Sequence, residues 1–562
     1  MNKKWEICKI NEEDINKICE ENNLSQLIGS ILASKKIISK DEIREFLNPT
    51  RDDFHDPFLM PDMEKAVERI LIAIQNKEKI IIYGDYDVDG ITSVTVLKKF
   101  LEEQGLKTGE YIPNRLNEGY GLNKEAVKNI SEQGYTLIIT VDCGISCIEE
   151  IEYAKELGME VIVTDHHEPG EIIPDCLAVV DAKRKDNKYP FNQLAGVGVV
   201  FKLIQSISLK LNLEAKEYLK YLDIVCVGTI SDIVPLIDEN RVITKLGLKL
   251  VEKTRNIGLK TLLESTGYKE INSTTISFGI APRINACGRM GEEKEALELF
   301  LTNNIQEAKQ ISERLNQYNI ERQETEKQIF KQAIQEIEKE NKDVPCIILG
   351  KEGWHHGIIG IVASKVTDIY FKPSILICFE GEEGKGSGRS IPGFDLHDAV
   401  MNCNTYVEKF GGHSMAIGIN VKKENFEKFK KEFEEYVQNS HINDIIPIIK
   451  IDKEIDLRKI NNIQDIRDLK LLEPYGEANK MPLFLIKNMK IQSIRTLSEG
   501  KHIKLKLGID NYIADAIGFN MGNIAEQYLI GDRVDVVGSL EINDFGDNEN
   551  IQINLKDIRK TI

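Results

Sequence analysis

A chain of 562 residues is too long for a single hydrophobic core, and roughly three or four domains are expected of it. With 41% hydrophobic and 29% charged residues it is neither disordered nor fibrous, and no apolar run reaches the length of a membrane span. A net charge of −18 argues against a protein that coats nucleic acid by bulk positive charge, but not against an enzyme with a local basic channel inside an acidic exterior.

Met1-Asn2-Lys3-Lys4-Trp5-Glu6 does not open a signal peptide, because charge interrupts any apolar stretch. The ten cysteines are scattered without a Cys-x-x-Cys pair, Cys143 and Cys147 being the closest two. This suits reduced thiols in a cytoplasmic protein and supports neither a disulfide framework nor thiol catalysis. Residues 1–65 read as a helical lead-in, with Ser39 and Glu42 spaced as a capping box.

Residues 66–240 read as an α/β domain. Ile80-Ile81-Ile82-Tyr83 is short, branched and uncharged, the pattern of a buried strand, and Asp85-Tyr86-Asp87-Val88-Asp89-Gly90 follows one glycine later. Three carboxylates at the carboxyl end of a strand repel one another unless protonated or neutralised, and a divalent cation is the usual neutraliser. The hexapeptide also begins like a calcium loop. Counted from Asp85, however, the twelfth position is Val96, not an acid, and a strand pattern precedes it where a helix is needed. Taken alone, a solvated acidic turn is the plainer alternative.

Two further runs end in the same way. Tyr135–Val141 leads into Asp142, and Met159–Thr164 leads into Asp165-His166-His167. With helical stretches between them, as around Glu149–Leu157, the rhythm predicts a parallel sheet whose strand ends converge on one edge. A mixed Asp/His set without thiolates favours Mn²⁺ or Mg²⁺ over structural zinc. Asp232 closes the apolar stretch Val225–Ser231 and is either a further ligand or a helix terminator.

Residues 241–343 form a helical connector, in which the polar stretch from Asn303 to Lys342 predicts one long bridging helix. A second α/β unit, 344–440, opens with the strand Pro345–Gly350. Within it, Gly384-Lys385-Gly386-Ser387-Gly388-Arg389-Ser390 is basic and glycine-rich but lacks the Gly-x-x-x-x-Gly-Lys-Ser/Thr frame of a nucleotide loop. It reads either as a flexible surface loop or as one whose N–H groups and Arg389 grip phosphate oxygens. Residues 448–562 turn to β alternation, clear at His502–Leu507 and Arg533–Gly538, which suits a small barrel.

Asp-x-Asp-x-Asp-Gly, an acid after a strand and then Asp-His-His together resemble the signature of the DHH phosphoesterases. The match is closest to the RecJ family of single-strand-specific 5′-to-3′ DNA exonucleases. The resemblance continues through Ile112–Gly121, which contains Arg115, and Ala281–Met290, which contains Arg283 and Arg289. It extends to Trp354–Ser364, with His355 and His356, and to Gly411-Gly412-His413. It implies a parallel-sheet DHH catalytic domain, a bridging helix, a second α/β (DHHA1) domain and a C-terminal β-barrel of OB-fold type that binds single strands.

In two-metal form, the mechanism has Asp85, Asp87, Asp142, His166 and Asp232 holding two Mn²⁺ or Mg²⁺ ions, Asp142 as the bridge and Asp89 as a ligand or a turn-former. His167 then serves the scissile phosphate and Asp165 positions the histidines. The resemblance implies that Ser387 and Arg389 take a terminal phosphate, with His413 facing the same cleft. Arg115 and Arg289 are similar candidates unless they are surface ion pairs. Arg283, His355, His356, Gly411 and Gly412 complete the expected nucleic-acid-binding set.

The implied activity is degradation of single-stranded DNA to 5′-mononucleotides in DNA repair and recombination. The implied setting is a monomeric enzyme in the bacterial cytoplasm, with single-strand-binding protein and a RecQ-type helicase as partners. Two rivals stay open: a DHH phosphodiesterase acting on short RNA or cyclic dinucleotides, and a non-catalytic replication scaffold. The bridging helix and the β-rich C-terminal module favour long single strands, and the intact Asp/His set argues against the scaffold.

The sequence departs from the family pattern twice. Gly-Gly-His-x-x-Ala-Ala-Gly reads Gly411 to Gly418 with Ile417 at the second alanine, so altered packing behind the glycines is expected. Position 83 is Tyr where some relatives carry His, which puts in doubt how one ion is held.

Overall fold

The computed structural model describes residues 3–339, 344–440, 442, 445–460, 463–510, 512–543 and 550–561. They fall into two compact units: residues 55–234 with 247–447, and residues 1–54 with 235–246 and 448–562.

In the first unit, the three expected strands appear as Ile80–Gly84, Leu137–Val141 and Glu160–Thr164, side by side and parallel. Thr108–Tyr111 adds outside Ile80–Gly84, and Ala178–Val180 outside Glu160–Thr164, giving five strands. The two edge strands are short and the first has no apolar run, which is why sequence pattern misses them. Ile80–Gly84 and Leu137–Val141 are buried at every position, as expected of parallel strands covered on both faces. Numbered along the chain, the strands lie in the order 2-1-3-4-5. The first strand connects outward to the second on one side and the third connects to the fourth on the other, so the strand order reverses between Ile80–Gly84 and Leu137–Val141, whose carboxyl ends are where such sheets place a ligand.

The connector contains a single helix of 35 residues, Ile305–Lys339, packed on the helices Ile257–Thr266, Ala281–Met290 and His356–Tyr370. Lys342, its expected end, and the expected boundary at residue 343 lie outside the described residues.

The second sheet runs Lys409–His413, Ala416–Lys422, Glu383–Arg389, Ser374–Glu380, Ile347–Glu352. It corrects the loop reading of the glycine-rich stretch. Gly384–Arg389 belongs to a central strand, laddered to Ser374–Glu380 on one side and Ala416–Lys422 on the other. A Cβ at Gly384, Gly386 or Gly388 would stand 2.6 Å from the Val421 carbonyl oxygen, 2.8 Å from Ile377 or 2.7 Å from Ile417. The glycines make room for these core residues, and ladder bonds occupy the backbone that a phosphate loop would offer. Ile417 accordingly fills the space beside Gly388, and is itself buried.

In the second unit, Phe484–Leu497, His502–Ile509, Tyr512–Gly518, Asn550–Lys560 and Arg533–Asn543 pair in that order. The last closes back on the first, so the five strands form a barrel without a free edge. Its core of Ile503, Leu505, Leu507, Val534, Val536 and Ile553 also takes in Ile15, Ile18, Ile28 and Ile31.

These four isoleucines come from the helices Glu12–Asn22 and Gln26–Ser34. Residues 1–54 therefore share the barrel's core, whereas the sequence reading treats 1–65 as a separate lead-in. Helices of 11, 9 and 8 residues are too short to persist alone and bury their apolar stripes against a neighbour. The Ser39/Glu42 capping box starts the third of them, Lys40–Leu47. Lys4–Ile7 pairs in parallel with Ile448–Ile451. Arg241, from the inserted segment 235–246, stacks on Phe46 at 3.5 Å and donates to the Phe46, Leu472 and Glu473 carbonyls. Among the described residues no helix is long and apolar enough to cross a membrane.

Candidate active site

Beyond Gly84 the chain leaves the sheet through Asp85 and Tyr86. Asp87 then caps the helix Val88–Glu103, its Oδ1 accepting from the N–H groups of Asp89 (2.8 Å) and Gly90 (3.1 Å). Gly90 closes this turn, since a Cβ there would stand 2.3 Å from the Asp85 carbonyl oxygen. Asp89 reaches across to the start of another helix, Gly196–Lys210, where its Oδ2 accepts from the Gly196 N–H (2.6 Å) and its Oδ1 from that of Val197 (2.8 Å). Asp142 turns sharply out of its strand at a φ of 58°, with its N–H on the Thr164 carbonyl at 3.0 Å.

Asp165 is fully buried and acts as a hub. Its Oδ1 accepts from the His166 N–H (2.7 Å) and His167 N–H (3.2 Å) and lies 2.7 Å from His167 Nδ1, while its Oδ2 accepts from the Ile145 N–H (2.9 Å). Asp232 ends the helix Leu222–Ser231 as its C-cap, and its carboxylate also stands 3.7 Å from His166 Nε2.

These groups converge. His166 Nε2 lies 3.1 Å from Asp142 Oδ1 and 3.8 Å from Asp89 Oδ2. Asp85, Asp87 and Asp142 can present ligand atoms within 4.8 Å of one another, as can Asp89, His166 and Asp232, and Asp142, His166 and His167. Buried Asp85 Oδ1, Asp142 Oδ1 and His166 Nε2 have no hydrogen-bond partner. The contact between the last two is therefore close without being a hydrogen bond. Two ligand atoms at right angles on an ion, each about 2.1 Å from it, stand roughly 3 Å apart. The orphaned atoms fit a shared divalent cation.

The electrostatics agree. Burial, reinforced by Asp87, holds Asp85 well above the usual carboxylate range, and burial with Asp89 and Asp87 does the same to Asp142 and Asp232. Asp89 is pushed up to about 7 by burial and Asp87. Burial, with His167 beside it, depresses His166 to about 3, so its imidazole is neutral and fit to ligate. Burial works against charge on His167 as well, but the Asp165 carboxylate outweighs it and raises that histidine to about 9. Carboxylates gathered like this are stable as anions only around added positive charge.

Three contributors escape the sequence reading. The Tyr120 hydroxyl lies 3.1 Å from His167 Nδ1 and 3.2 Å from the Asp142 carbonyl oxygen. Gly196 is pressed so close that a Cβ would stand 2.6 Å from Asp142 Oδ1. Asp181 follows the short strand Ala178–Val180, is buried, and has an unpartnered Oδ2. The only sequence signals are an aromatic within the Arg115 segment, small residues opening an apolar helix, and one more acid at a strand end. Tyr83, by contrast, belongs to the core, in one cluster with Leu122, Val127 and Ile138. It is buried, stacks on Tyr111 at 4.9 Å and donates to the Gly121 carbonyl at 3.0 Å, so it has no part in holding an ion.

Beside the acids lies a group of arginines. The Arg115 guanidinium sits 4.7 Å over the Tyr86 ring and is close enough to Asp85 to favour its anion. Arg289 donates to the Gly357 carbonyl at 2.5 Å, and Arg389 to Ser387 Oγ at 2.9 Å and the Gly388 carbonyl at 2.7 Å. Burial lowers Arg289 to about 9, with Arg115, Arg322 and Arg389 adding to the effect. Arg389 is lowered by burial and by Arg115.

Among the described residues no carboxylate pairs with Arg115, Arg289 or Arg389. Arg283 is engaged differently, donating to Asn316 and to the Gly279 carbonyl, both at 2.5 Å. His355 caps the helix His356–Tyr370 by accepting from the Gly357 N–H at 3.2 Å, and His356 Nδ1 stands 3.7 Å from Glu380. Gly411, Gly412 and His413 lie exposed on the edge strand, and Ala416 is in register with both His413 and Arg389.

Comparison with known proteins follows this division. Residues 79–229 match the model of the DHH family, N-terminal domain, 343–439 that of the DHHA1 domain, and 451–557 that of the RecJ OB domain. The chain is 37% identical over 560 residues to a protein of Bacillus subtilis named single-stranded-DNA-specific exonuclease RecJ, covering 99% of this chain and 70% of that one. It is 33% identical over 515 residues to the protein of that name from Thermus thermophilus, covering 91% and 73%. Among solved structures, RecJ in complex with Mn²⁺ from Thermus thermophilus superposes with a TM-score of 0.87 at 28% identity, covering all of this chain and 80% of that one. The Mg²⁺ complex from the same source gives 0.80 at 26% identity, covering 100% and 79%.

Proposed function

The chain belongs to the RecJ family of single-stranded-DNA-specific exonucleases, and from that premise we propose that its Asp/His rim is the hydrolytic centre of a 5′-to-3′ enzyme releasing mononucleotides. It is a metal-dependent single-strand DNA exonuclease. Asp85, Asp87 and Asp142 would hold one Mn²⁺ or Mg²⁺ ion and Asp89, His166 and Asp232 the other, with Asp142 shared. Once bound, the ions supply Lewis acidity, lowering the pKa of the attacking water and countering charge on the phosphate.

The protein's own groups would orient the reactants. Asp165 takes His167 Nδ1, which would leave Nε2 to meet a phosphate oxygen. Arg115, Arg289, Arg389 and Ser387 would grip the phosphate at the strand's 5′ end. Arg115 lies over the ring of Tyr86, the residue between Asp85 and Asp87, so a phosphate gripped there would sit beside the acids, which supports removal of one nucleotide at a time.

The observation that carries the reading is the convergence of orphaned, buried ligand atoms from separate strand ends. Family membership further supports a monomeric cytoplasmic enzyme of DNA repair and recombination, working with single-strand-binding protein and a RecQ-type helicase. The test is digestion of end-labelled single strands with Mn²⁺, beside duplex and RNA controls. The 5′ label should leave first, as mononucleotide. Earlier release of a 3′ label would reverse the polarity, and no metal-dependent release would sink the assignment of the centre.

A further inference from the structure

The residue after Asp232 is strained. The helix Leu222–Ser231 ends at Asp232, whose carboxylate stands 3.7 Å from His166 Nε2, and Ile233 then takes a φ of 61°. Its N–H reaches back to the Ile230 carbonyl at 3.4 Å, as that of Asp232 does to the Gly228 carbonyl at 3.0 Å, so a left-handed turn closes the helix. Glycine, or sometimes asparagine, fits such a position, because a side chain branched at Cβ crowds the backbone there. Among the described residues Ile233 is the one β-branched residue at a positive φ.

Burial does not offset the strain, for Ile233 is 71% exposed. Glycine would make the same turn without crowding, and folding gains little from an apolar group left in water. Strain kept beside a residue of the metal centre, with no return in packing, marks a group whose partner arrives with the substrate.

A single strand supplies that partner. Consecutive Cα atoms stand about 3.8 Å apart, so Ile233 is next to a carboxylate that would touch a cation at the cut. The strand's bases have no complementary chain to cover them. Branched aliphatic side chains pack on base faces, and every base has such a face, so the contact asks for no particular sequence. We propose that Ile233 packs against the face of a nucleobase beside the metal centre and contributes to the affinity for single strands. The proposal rests on the assignment of Asp232 to that centre.

Ile233→Gly and Ile233→Asn relax the backbone and remove the apolar surface, whereas Ile233→Val keeps the branch and most of the surface. Each is assayed with Mn²⁺ on single strands carrying one abasic site, moved stepwise from the 5′ end. Melted in chelator, Ile233→Gly should have a thermal midpoint no lower than wild type. On the intact strand its KM should nevertheless rise about tenfold, the low end of what covering an isoleucine side chain contributes. Ile233→Asn should behave like Ile233→Gly, and Ile233→Val should stay near wild type. At one abasic position wild type should lose affinity by the same factor and Ile233→Gly should lose nothing more, because both changes remove one contact.

An unchanged KM in Ile233→Gly, or losses that multiply at every abasic position, would overturn the proposal. A lower midpoint would show that folding uses the isoleucine and would overturn it as well. So would a loss matched by a higher Mn²⁺ concentration at half-maximal rate, which would make Ile233 a positioning residue for Asp232. A wild type without Mn²⁺-dependent release would instead remove the metal centre on which the proposal rests.

Discussion

Gly196→Ala probes the close approach of the helix Gly196–Lys210 to two candidate ligands at once. The added methyl would stand 2.6 Å from Asp142 Oδ1, 2.7 Å from its Cβ and 2.8 Å from its Cγ, where ordinary contact begins at 3.4 Å. The nearest approach falls about 0.8 Å short of ordinary contact. Retreat is blocked, because the Gly196 and Val197 N–H groups are bound to Asp89 at 2.6 and 2.8 Å. Either Asp142 swings aside or the helix backs away and releases Asp89. A displacement of roughly 1 Å in such a constellation costs on the order of 100-fold in rate.

Initial rates on 5′-labelled single strands across a Mn²⁺ series should therefore fall about that far. The rise in thermal midpoint on adding Mn²⁺ should shrink in parallel. Gly198→Ala is the internal comparison. Its methyl would meet only the Leu194 side chain, at 3.3 Å, so a stability loss under about 1.5 kcal/mol and near-wild-type hydrolysis are expected. If Gly196→Ala hydrolyses like wild type and keeps its full response to Mn²⁺, the inferred crowding at Asp142 is wrong.

Asp142→Ala should abolish hydrolysis yet leave the chelated protein at least as stable as wild type, because it removes a buried carboxyl that its neighbours repel; circular dichroism melts in chelator read this directly. Chelation should end digestion, and Mn²⁺ at 100 times its Kd should add about 2.7 kcal/mol to folding stability, visible by calorimetry. Tyr120→Phe removes the hydroxyl between His167 and the Asp142 carbonyl and should lower kcat about tenfold with KM little changed; a fall in KM-dependent binding alone would speak against a role at His167. Arg241→Ala strips three carbonyls of their buried donor and should destabilise the barrel-bearing unit by about 3 kcal/mol or more in urea unfolding; a change within about 0.5 kcal/mol, the usual range for surface sites, would mean that water replaces it.

The acids and imidazoles were legible because strand and metal signals are both local. A branched apolar run announces a buried strand, and a carboxylate immediately after it can only sit at the strand's end. The Ser39 cap and the long polar helix were legible for the same reason. The glycine-rich stretch misled because alternating glycine and polar residues look identical in a loop and in a strand whose one face is crowded. What distinguishes them is the bulk of Ile377 and Ile417 and the carbonyl of Val421 opposite, on other strands. Tyr83 misled in the other direction: a residue two before a ligand shares its neighbourhood in sequence, but its side chain enters the core.

By itself the amino-acid order determined the fold class, the acidic strand ends and the demand for a divalent cation, since each follows from neighbours a few residues apart. Which acids meet, which helix start presses on them, and that residues 1–54 complete the barrel's core were decided by tertiary structure alone. Those contacts join residues tens to hundreds of positions apart, and their geometry depends on strand order, the strand-order reversal and packing that no local pattern encodes.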